Sequence, residues 1–292
     1  MREKFYDPNV EINYSVVLGE IQKNVRQYII DNDIKALVIG ISGGIDSALN
    51  AAILSPICKD LSIPMIGRYI HIESNTNEEK FRAEKIGKAF CGEKNFKSKK
   101  LDIPYELFLT HLEESSIFGG FMHNSSNVED KIRRGNVKAR MRMMYLYNLS
   151  QKLHGIVIDN DNMTEYLLGF YTLHGGGDIS PLFSLLKTEV FGLDKYYYEC
   201  LESNEEREAL QLAIDAVPTD GLGITSSDVE QFGVKTYDEV DDILVHYLNG
   251  NGYQNPLETY LYPKYGKESV DNVIRRYKNT AFKKNHPIRI LV

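Results

Sequence analysis

The 292-residue chain contains no run of about eighteen apolar residues, which excludes a helical membrane span. Its opening segment, MREKFYDPNVEINY, has no apolar core of the kind a secretory signal carries. Cysteine is scarce: Cys58, Cys91 and Cys200 are odd in number and far apart, which argues against a disulfide framework or zinc site and for a reducing cytoplasm. Positive charge is also short, 34 Lys and Arg against 41 Asp and Glu, for a formal net charge of −7. A protein that holds nucleic acid by bulk electrostatics needs a basic face, so no nucleic-acid partner is expected. An anionic small molecule needs only a local cluster of cations and stays open. Tryptophan is absent, and neither internal repeats, low-complexity tracts nor a clear linker occur, so a single domain over residues 1–292 is the simplest organisation.

What is present is an ordinary globular composition, 42% hydrophobic and 26% charged. Apolar residues at 17, 18, 21, 25, 28 and 29 have helical spacing. The run 36–41 is short and apolar, as in strands covered on both faces. A helix over 48–58 follows, and Pro56 is expected to bend or end it. Further strands are expected over 64–72, 98–103 and 155–159, and helices over 78–90, 137–149, 188–201, 237–248 and 269–283. Residues 115–127 read as a loop, and 202–227 as a long irregular stretch. This alternation predicts an α/β fold: a Rossmann-like open parallel sheet with helices on both faces.

The string GISGGIDS, residues 40–47, stands where the first core strand turns into a helix. Such a joint gathers backbone N–H groups and a positive helix end, and anionic oxygens bind there when no side chain blocks them. Gly43 and Gly44 supply clearance, and Ser42 and Ser47 supply hydroxyls. The string lacks the GK[ST] ending of the usual NTPase loop and does not fit G-x-G-x-x-G. Asp46 is the odd member, because a carboxylate repels phosphate; a divalent metal bridging the two would resolve the conflict. The blander alternative makes Asp46 and Ser47 simple helix caps.

With S-G-G-x-D-S the chain resembles the PP-loop ATP pyrophosphatases, which cleave ATP between the α and β phosphates and pass AMP to a carboxylate or carbonyl oxygen. The resemblance implies the adenine nucleotide alpha-hydrolase-like form of the fold, with the loop gripping the pyrophosphate that leaves. By itself it does not choose among amidoligases, tRNA-modifying enzymes and argininosuccinate-type ligases.

Two further stretches narrow the choice. KIRRGNVKARMRMMYLY, residues 131–147, sets Arg134, Lys138 and Arg142 on one helix face, read as solvated. Arg140, near the apolar positions 137, 141 and 144, is expected to face inward or into a cleft. Residues 155–182, GIVIDNDNMTEYLLGFYTLHGGGDISPL, place Asp161 and Glu165 one helical turn apart after a strand, where open α/β folds carry ligands. They are either first-turn helix charges or a metal and polar-group site. Asp178 ends a glycine run and is a candidate for ligand contact.

Taken in order, GISGGIDS, R-G-N-V-K-A-R, D-N-x-x-E-x-x-x-G-F-x-T, D-I-x-P-L with Lys187, Pro218-Thr219 and Y-D-x-x-D-D-x-L at 237–244 resemble the ammonia-dependent NAD synthetases over nearly the whole chain. That resemblance implies ATP-dependent amidation of deamido-NAD to NAD with Mg2+. Gly40, Ile41, Ser42, Gly43, Gly44, Ile45, Asp46 and Ser47 would bind ATP, joined by Arg68, Asn160, Lys187 and Thr219. Asp46 and Glu165 would hold the metal, and Asp46, Glu165 and Lys187 would form the catalytic group. Arg140 and Asp178 would contact deamido-NAD, and Lys283 would reach the dinucleotide of a dimer mate, so a cytoplasmic homodimer is implied. The chain departs from the family pattern at Asp159–Asn162, Leu173, Phe282 and a shorter glycine loop, all on the deamido-NAD side.

The chemistry sets demands of its own. A carboxylate is inert to ammonia until its oxygen becomes part of a good leaving group, and adenylation achieves this. Cations must then offset the repulsion between two anions. Asp178 is the candidate to take the proton from ammonia. The adenylate must be shielded from water, and residues 202–227 and 73–80 are the expected cover; deletion of 205–215 would then uncouple ATP use from amide formation. No amide-hydrolysing domain is expected upstream, so ammonia would be free or supplied by another protein.

Overall fold

In the computed structural model the described residues are 12–73, 75–114, 127–219, 225–249, 255–284 and 290. Helix α1, Tyr14–Asp31, precedes the first strand, β1, Leu37–Gly40, which feeds α2, Ile45–Asp60. Then come β2, Met65–His71, α3, Asn77–Cys91, β3, Lys97–Lys100, α4, Asp102–Glu114, α5, Val128–Lys152, and β4, Ile156–Ile158. The four strands are parallel in the order β3-β2-β1-β4, with Leu37 opposite both Met65 and Ile156. The chain therefore winds outward from β1 in one direction and returns on its other side to lay down β4. The carboxyl ends of β1 and β4 flank the reversal, which is where open sheets of this kind form a crevice.

Side chains of β1 alternate between two apolar layers, as the period of a strand requires. Leu37 and Ile39 join α1, α2 and α3 in one layer, while Val38 joins Ile66, Ile70, Tyr105 of α4, Leu146 of α5 and Val157 in the other. The expectation of helices on both faces is thus met. After β4 the chain forms α6, Met163–Leu168, α7, Lys187–Cys200, α8, Asn204–Ile214, α9, Asp228–Phe232, and α10, Tyr237–Asn249. A π-helical turn, Leu257–Leu261, runs into α11, Tyr262–Tyr265, and then α12, Lys267–Asn279, and the 3-10 turn Ala281–Lys283. Residues of α6, α9, α10 and α12 make a separate apolar cluster.

Several expectations need correction. Pro56 neither ends nor breaks α2, which continues to Asp60. Proline withdraws the N–H that would serve the carbonyl four residues back, Ala52. Here the Tyr197 hydroxyl of α7 donates to that oxygen at 3.0 Å instead. The stretch 202–227 is not irregular throughout: α8 buries Ala209, Leu210 and Ala213 in the layer with α2, α3 and α7. A deletion of 205–215 would remove core rather than a cover. Within 73–80, Thr76 and Glu79 form a reciprocal cap for α3, and Asn75 accepts from Ile72 N at 3.1 Å, so residues 75–80 are a braced helix entry. The third strand stops at Lys100, and Ile103 already belongs to α4. Of the loop expected over 115–127, only Asn127 is among the described residues, as the N-cap of α5.

Candidate active site

The loop 40–44 leaves β1 and turns at Gly43, whose φ is +88°. A Cβ there would lie 2.7 Å from the Glu79 carbonyl oxygen and 3.2 Å from Ala83 N, so the loop packs against the start of α3 at a distance only glycine permits. The Arg82 Nε donates to the Gly43 carbonyl at 3.1 Å and ties the two together. Ser47 Oγ accepts from Ser42 N at 3.2 Å and donates to Gly44 O at 3.0 Å, closing the loop on itself. Gly44 is the N-cap of α2 and offers no side chain to the helix N–H groups. Asp46 is consequently not a cap. Those N–H groups and the helix dipole are presented at the crevice, as an anion site requires.

Asp46 is instead one corner of a buried charge cluster. Its Oδ1 accepts from Asn162 Nδ2 at 2.9 Å, and its Oδ2 accepts from Lys187 Nζ. The same ammonium donates to Glu165 Oε1 at 3.2 Å. Asn162 caps α6 reciprocally with Glu165, taking Glu165 N on its Oδ1 at 3.1 Å. Carboxylates from α2 and α6 thereby converge on one cation from the first position of α7. Burial works against the Lys187 charge, but Asp46 and Glu165 outweigh it and hold its pKa above the ordinary lysine range. Burial lifts the Glu165 carboxyl to about 7, with Lys187 pulling it down and Asp46 pushing it up. Asp161, desolvated and facing Asp159, Glu165 and Asp46, is held well above the usual carboxylate range.

Asp46, Asp161, Glu165 and Lys187 line a cavity of about 410 Å³. Arg68, Arg82, Lys138 and Arg142 also line it. Arg142 donates to Ile70 O at 3.2 Å and to Asn75 Oδ1 at 2.9 Å, and Lys138 pairs with Glu73 at 2.8 Å. The expectation for α5 is therefore reversed. Lys138 is buried and Arg142 half-buried at the cavity, whereas Arg140 is exposed and donates to Leu173 O at 3.1 Å. Position on the helix is set by α5 packing over β1 and β4; spacing gave the shared face but not its direction.

Of the residues expected at ATP, Gly40, Ile41, Ser42, Gly44, Ile45, Asp46, Arg68, Asn160, Lys187 and Thr219 line this cavity. Gly43 and Ser47 hold the loop behind it. Asn160 joins the two strand ends, donating to Gly40 O at 3.0 Å and accepting from Asn50 at 3.0 Å. Arg140, Asp178 and Lys283 lie outside that lining and gather around the segment 169–178. Lys283 Nζ donates to Gly169 O at 2.7 Å and Tyr171 O at 2.6 Å of its own chain. Asp178 Oδ2 accepts from Val157 N at 2.8 Å, so its carboxylate braces the glycine turn against β4. Gly177 packs so close to β4 that a Cβ would lie 2.6 Å from Asp159 N. Asn162 and Arg82 were not singled out as site residues, and Asp161, read as a first-turn helix charge or a site acid, precedes α6 and lines the cavity. The N-x-x-E spacing of a reciprocal cap was a signal for Asn162; nothing local marked Arg82.

Carboxylates suit a hard divalent cation, and Asp46 and Glu165 aim oxygens at one point, where Lys187 Nζ supplies positive charge. Among the described residues no group of three or more His, Cys, Asp or Glu could hold a metal without help. Mg2+ needs only one or two protein carboxylates and takes the rest of its shell from phosphate and water.

A parallel sheet whose first strand runs into this uncapped glycine loop, with acids from two elements closing on it, is the PP-loop form of the Rossmann-like nucleotide-binding fold. The sequence model of NAD synthase matches residues 17–287, and the chain belongs to that family. It is 27% identical to the NH(3)-dependent NAD(+) synthetase of Finegoldia magna over 82% of this chain and 87% of that protein. Against the enzyme of the same name from Sulfurisphaera tokodaii the figures are 28%, 98% and 92%. Among solved structures, an NMN synthetase from Francisella tularensis superposes with a TM-score of 0.74 at 22% identity, covering 97% of this chain and 100% of that one, which shows a shared fold. The chain is an ATP-using ligase of the NAD synthase family. No helix among the described residues is long and apolar enough to cross a membrane.

Proposed function

We propose that this protein amidates deamido-NAD to NAD with ammonia, using ATP and releasing AMP and pyrophosphate. The observation that carries it is the convergence of Asp46 and Glu165 on Lys187 at the mouth of the glycine loop. In the first step a nicotinate carboxylate oxygen attacks the α-phosphorus and the bond to the β-phosphate bridging oxygen breaks. The loop N–H groups and the α2 dipole receive charge that grows on the departing pyrophosphate. The Lys187 ammonium, kept protonated by its neighbours, faces the same charge. Mg2+, held by Asp46 and Glu165, would supply further charge neutralisation on the phosphates. In the second step ammonia attacks the carbonyl carbon of the adenylate, AMP leaves with the former carboxylate oxygen, and the nitrogen gives up one proton to leave the neutral amide.

Arg140, Asp178 and Lys283 bracket the segment 169–178, and this common location supports deamido-NAD binding beside the cavity. One domain, a cytoplasmic setting and a homodimer belong to the same proposal, and sedimentation tests the last. Supplying ATP, Mg2+, deamido-NAD and ammonium and measuring NAD tests the reaction, with glutamine in place of ammonium as the control. NAD formed with ammonium but not glutamine is expected; no NAD and no AMP would refute it. Because Leu173 and Phe282 depart from the family pattern, nicotinic acid mononucleotide belongs in the same assay, where a faster rate would reassign the substrate.

A further inference from the structure

Lys187 is the first residue of α7, and the residue before it, Leu186, gives the helix no side-chain cap. The orphan N–H groups of that helix end are met from elsewhere. Lys187 N donates to Thr164 Oγ1 of α6 at 2.8 Å, and Thr188 N donates to Asp241 Oδ2 of α10 at 2.9 Å. The Thr164 hydroxyl in turn donates to Asp241 Oδ1. Thr164 is 0% exposed and Asp241 3%, so none of these bonds is shared with solvent. Thr164 is the chain neighbour of Glu165, and Thr188 that of Lys187. One carboxylate therefore holds the Thr164 hydroxyl and the Thr188 N–H, next in the chain to the two members of the acid–cation pair.

The same face of α10 touches the ammonium. Tyr237, four residues before Asp241 and so on its side of the helix, places its ring centroid 5.5 Å from Lys187 Nζ. Its hydroxyl donates to Asp228 Oδ2 at 3.1 Å, which fixes the ring. Asp242, the next residue along, turns the other way to accept from Tyr260, Lys264 and Tyr265. The two acids of Y-D-x-x-D-D-x-L thus do different work.

We propose that Asp241 is a positioning residue: through Thr164 and the N-terminus of α7 it fixes Lys187 against Glu165 and Asp46. This rests on the assignment of those three residues to the phosphate chemistry. A removed acceptor lets α6 and α7 shift relative to each other, and a displacement of about 1 Å at a reacting group can cost ~100-fold in rate.

The test compares D241N, T164V, T164S and the D241N/T164V double variant. Asparagine keeps the shape but must turn an N–H donor toward one of the two donors that Asp241 accepts. The expected result is a kcat lower by at least about tenfold in D241N and T164V, a KM for deamido-NAD within about threefold, and a double variant no slower than the slower single. T164S, which keeps the hydroxyl, restores the rate. Should D241N fail to fold, the T164V and T164S pair decides. Folded variants with wild-type kcat, losses that multiply in the double, or a kcat that merely follows the folded fraction would overturn the proposal. If wild type makes no NAD, the functional assignment fails; the positioning role is still read from crystal structures of wild type and T164V. A Lys187 Nζ that keeps both carboxylate contacts in T164V sinks it.

Discussion

Replacing Lys187 by methionine keeps the length of the side chain and removes its charge. The lysine side chain is 3% exposed, and those of Asp46 and Glu165 are 15% and 14% exposed, so two largely buried carboxylates would face each other without a cation. Stripping one partner from a buried charge pair costs about 3–5 kcal/mol. The lower end is expected at neutral pH, because Glu165 already sits at about 7 and would take up a proton once Lys187 no longer pulls it down. The sign follows from that raised value. A carboxyl whose folded pKa lies above its unfolded one favours folding most at low pH and loses that contribution as pH rises through the folded value. The deficit of K187M relative to wild type should thus shrink from pH 8 to pH 5 and be largest at the alkaline end. Millimolar Mg2+ without nucleotide should stabilise K187M more than wild type, since it replaces the missing charge between the same oxygens. Turnover should fall by about 10²–10³, the usual loss for removing one group that meets transition-state charge. Urea denaturation across pH, with and without Mg2+, and pyrophosphate release together read these effects. A variant within about threefold of wild-type turnover, or a stability deficit independent of pH, would refute the electrostatic role.

Three further outcomes follow from particular contacts. Tyr197→Phe leaves the Ala52 carbonyl without the hydroxyl that replaces the Pro56 N–H, and should cost about 1–3 kcal/mol in denaturation with little change in KM; no loss of stability would mean that α2 tolerates the proline unaided. Gly43→Ala forces a Cβ to 2.7 Å from Glu79 O at a φ of +88°, so the loop and α3 must separate; ATP binding by calorimetry should weaken at least about tenfold, and unchanged affinity would contradict the loop's role. Burial raises the Asp241 carboxyl from 3.8 to about 6, against its bonds from Thr164 and Thr188, so it contributes most below pH 4 and loses that contribution as pH rises through 6. Asp241→Asn should flatten the stability curve by about 3 kcal/mol over that window, and parallel curves for the two proteins would exclude the shift.

Local pattern carried the sheet and the loop because both are set by neighbours in sequence. The run 36–41 is apolar because β1 is covered on both sides, and its glycines must follow where α3 comes close. Readings that failed turn on partners far away in the chain. Pro56 reads as a bend or an end until Tyr197, 145 residues on from Ala52, supplies the missing donor. Helix α8 reads as irregular because only Ala209, Leu210 and Ala213 of it are buried. The α5 cations had the right mutual spacing but the wrong outward direction, which depends on how that helix lies over the sheet. Asp241 belongs to a string that marks the family, yet its grip on Thr164 and Thr188 spans 77 and 53 residues and has no local signature.

The most direct measurement uses deamido-NAD labelled with 18O in its nicotinate carboxylate. Turned over with ATP and ammonium, it should give AMP carrying one labelled oxygen and unlabelled pyrophosphate, because the carboxylate oxygen attacks the α-phosphorus and leaves with AMP. AMP free of label, or release of ADP and phosphate, would contradict adenylation at this loop.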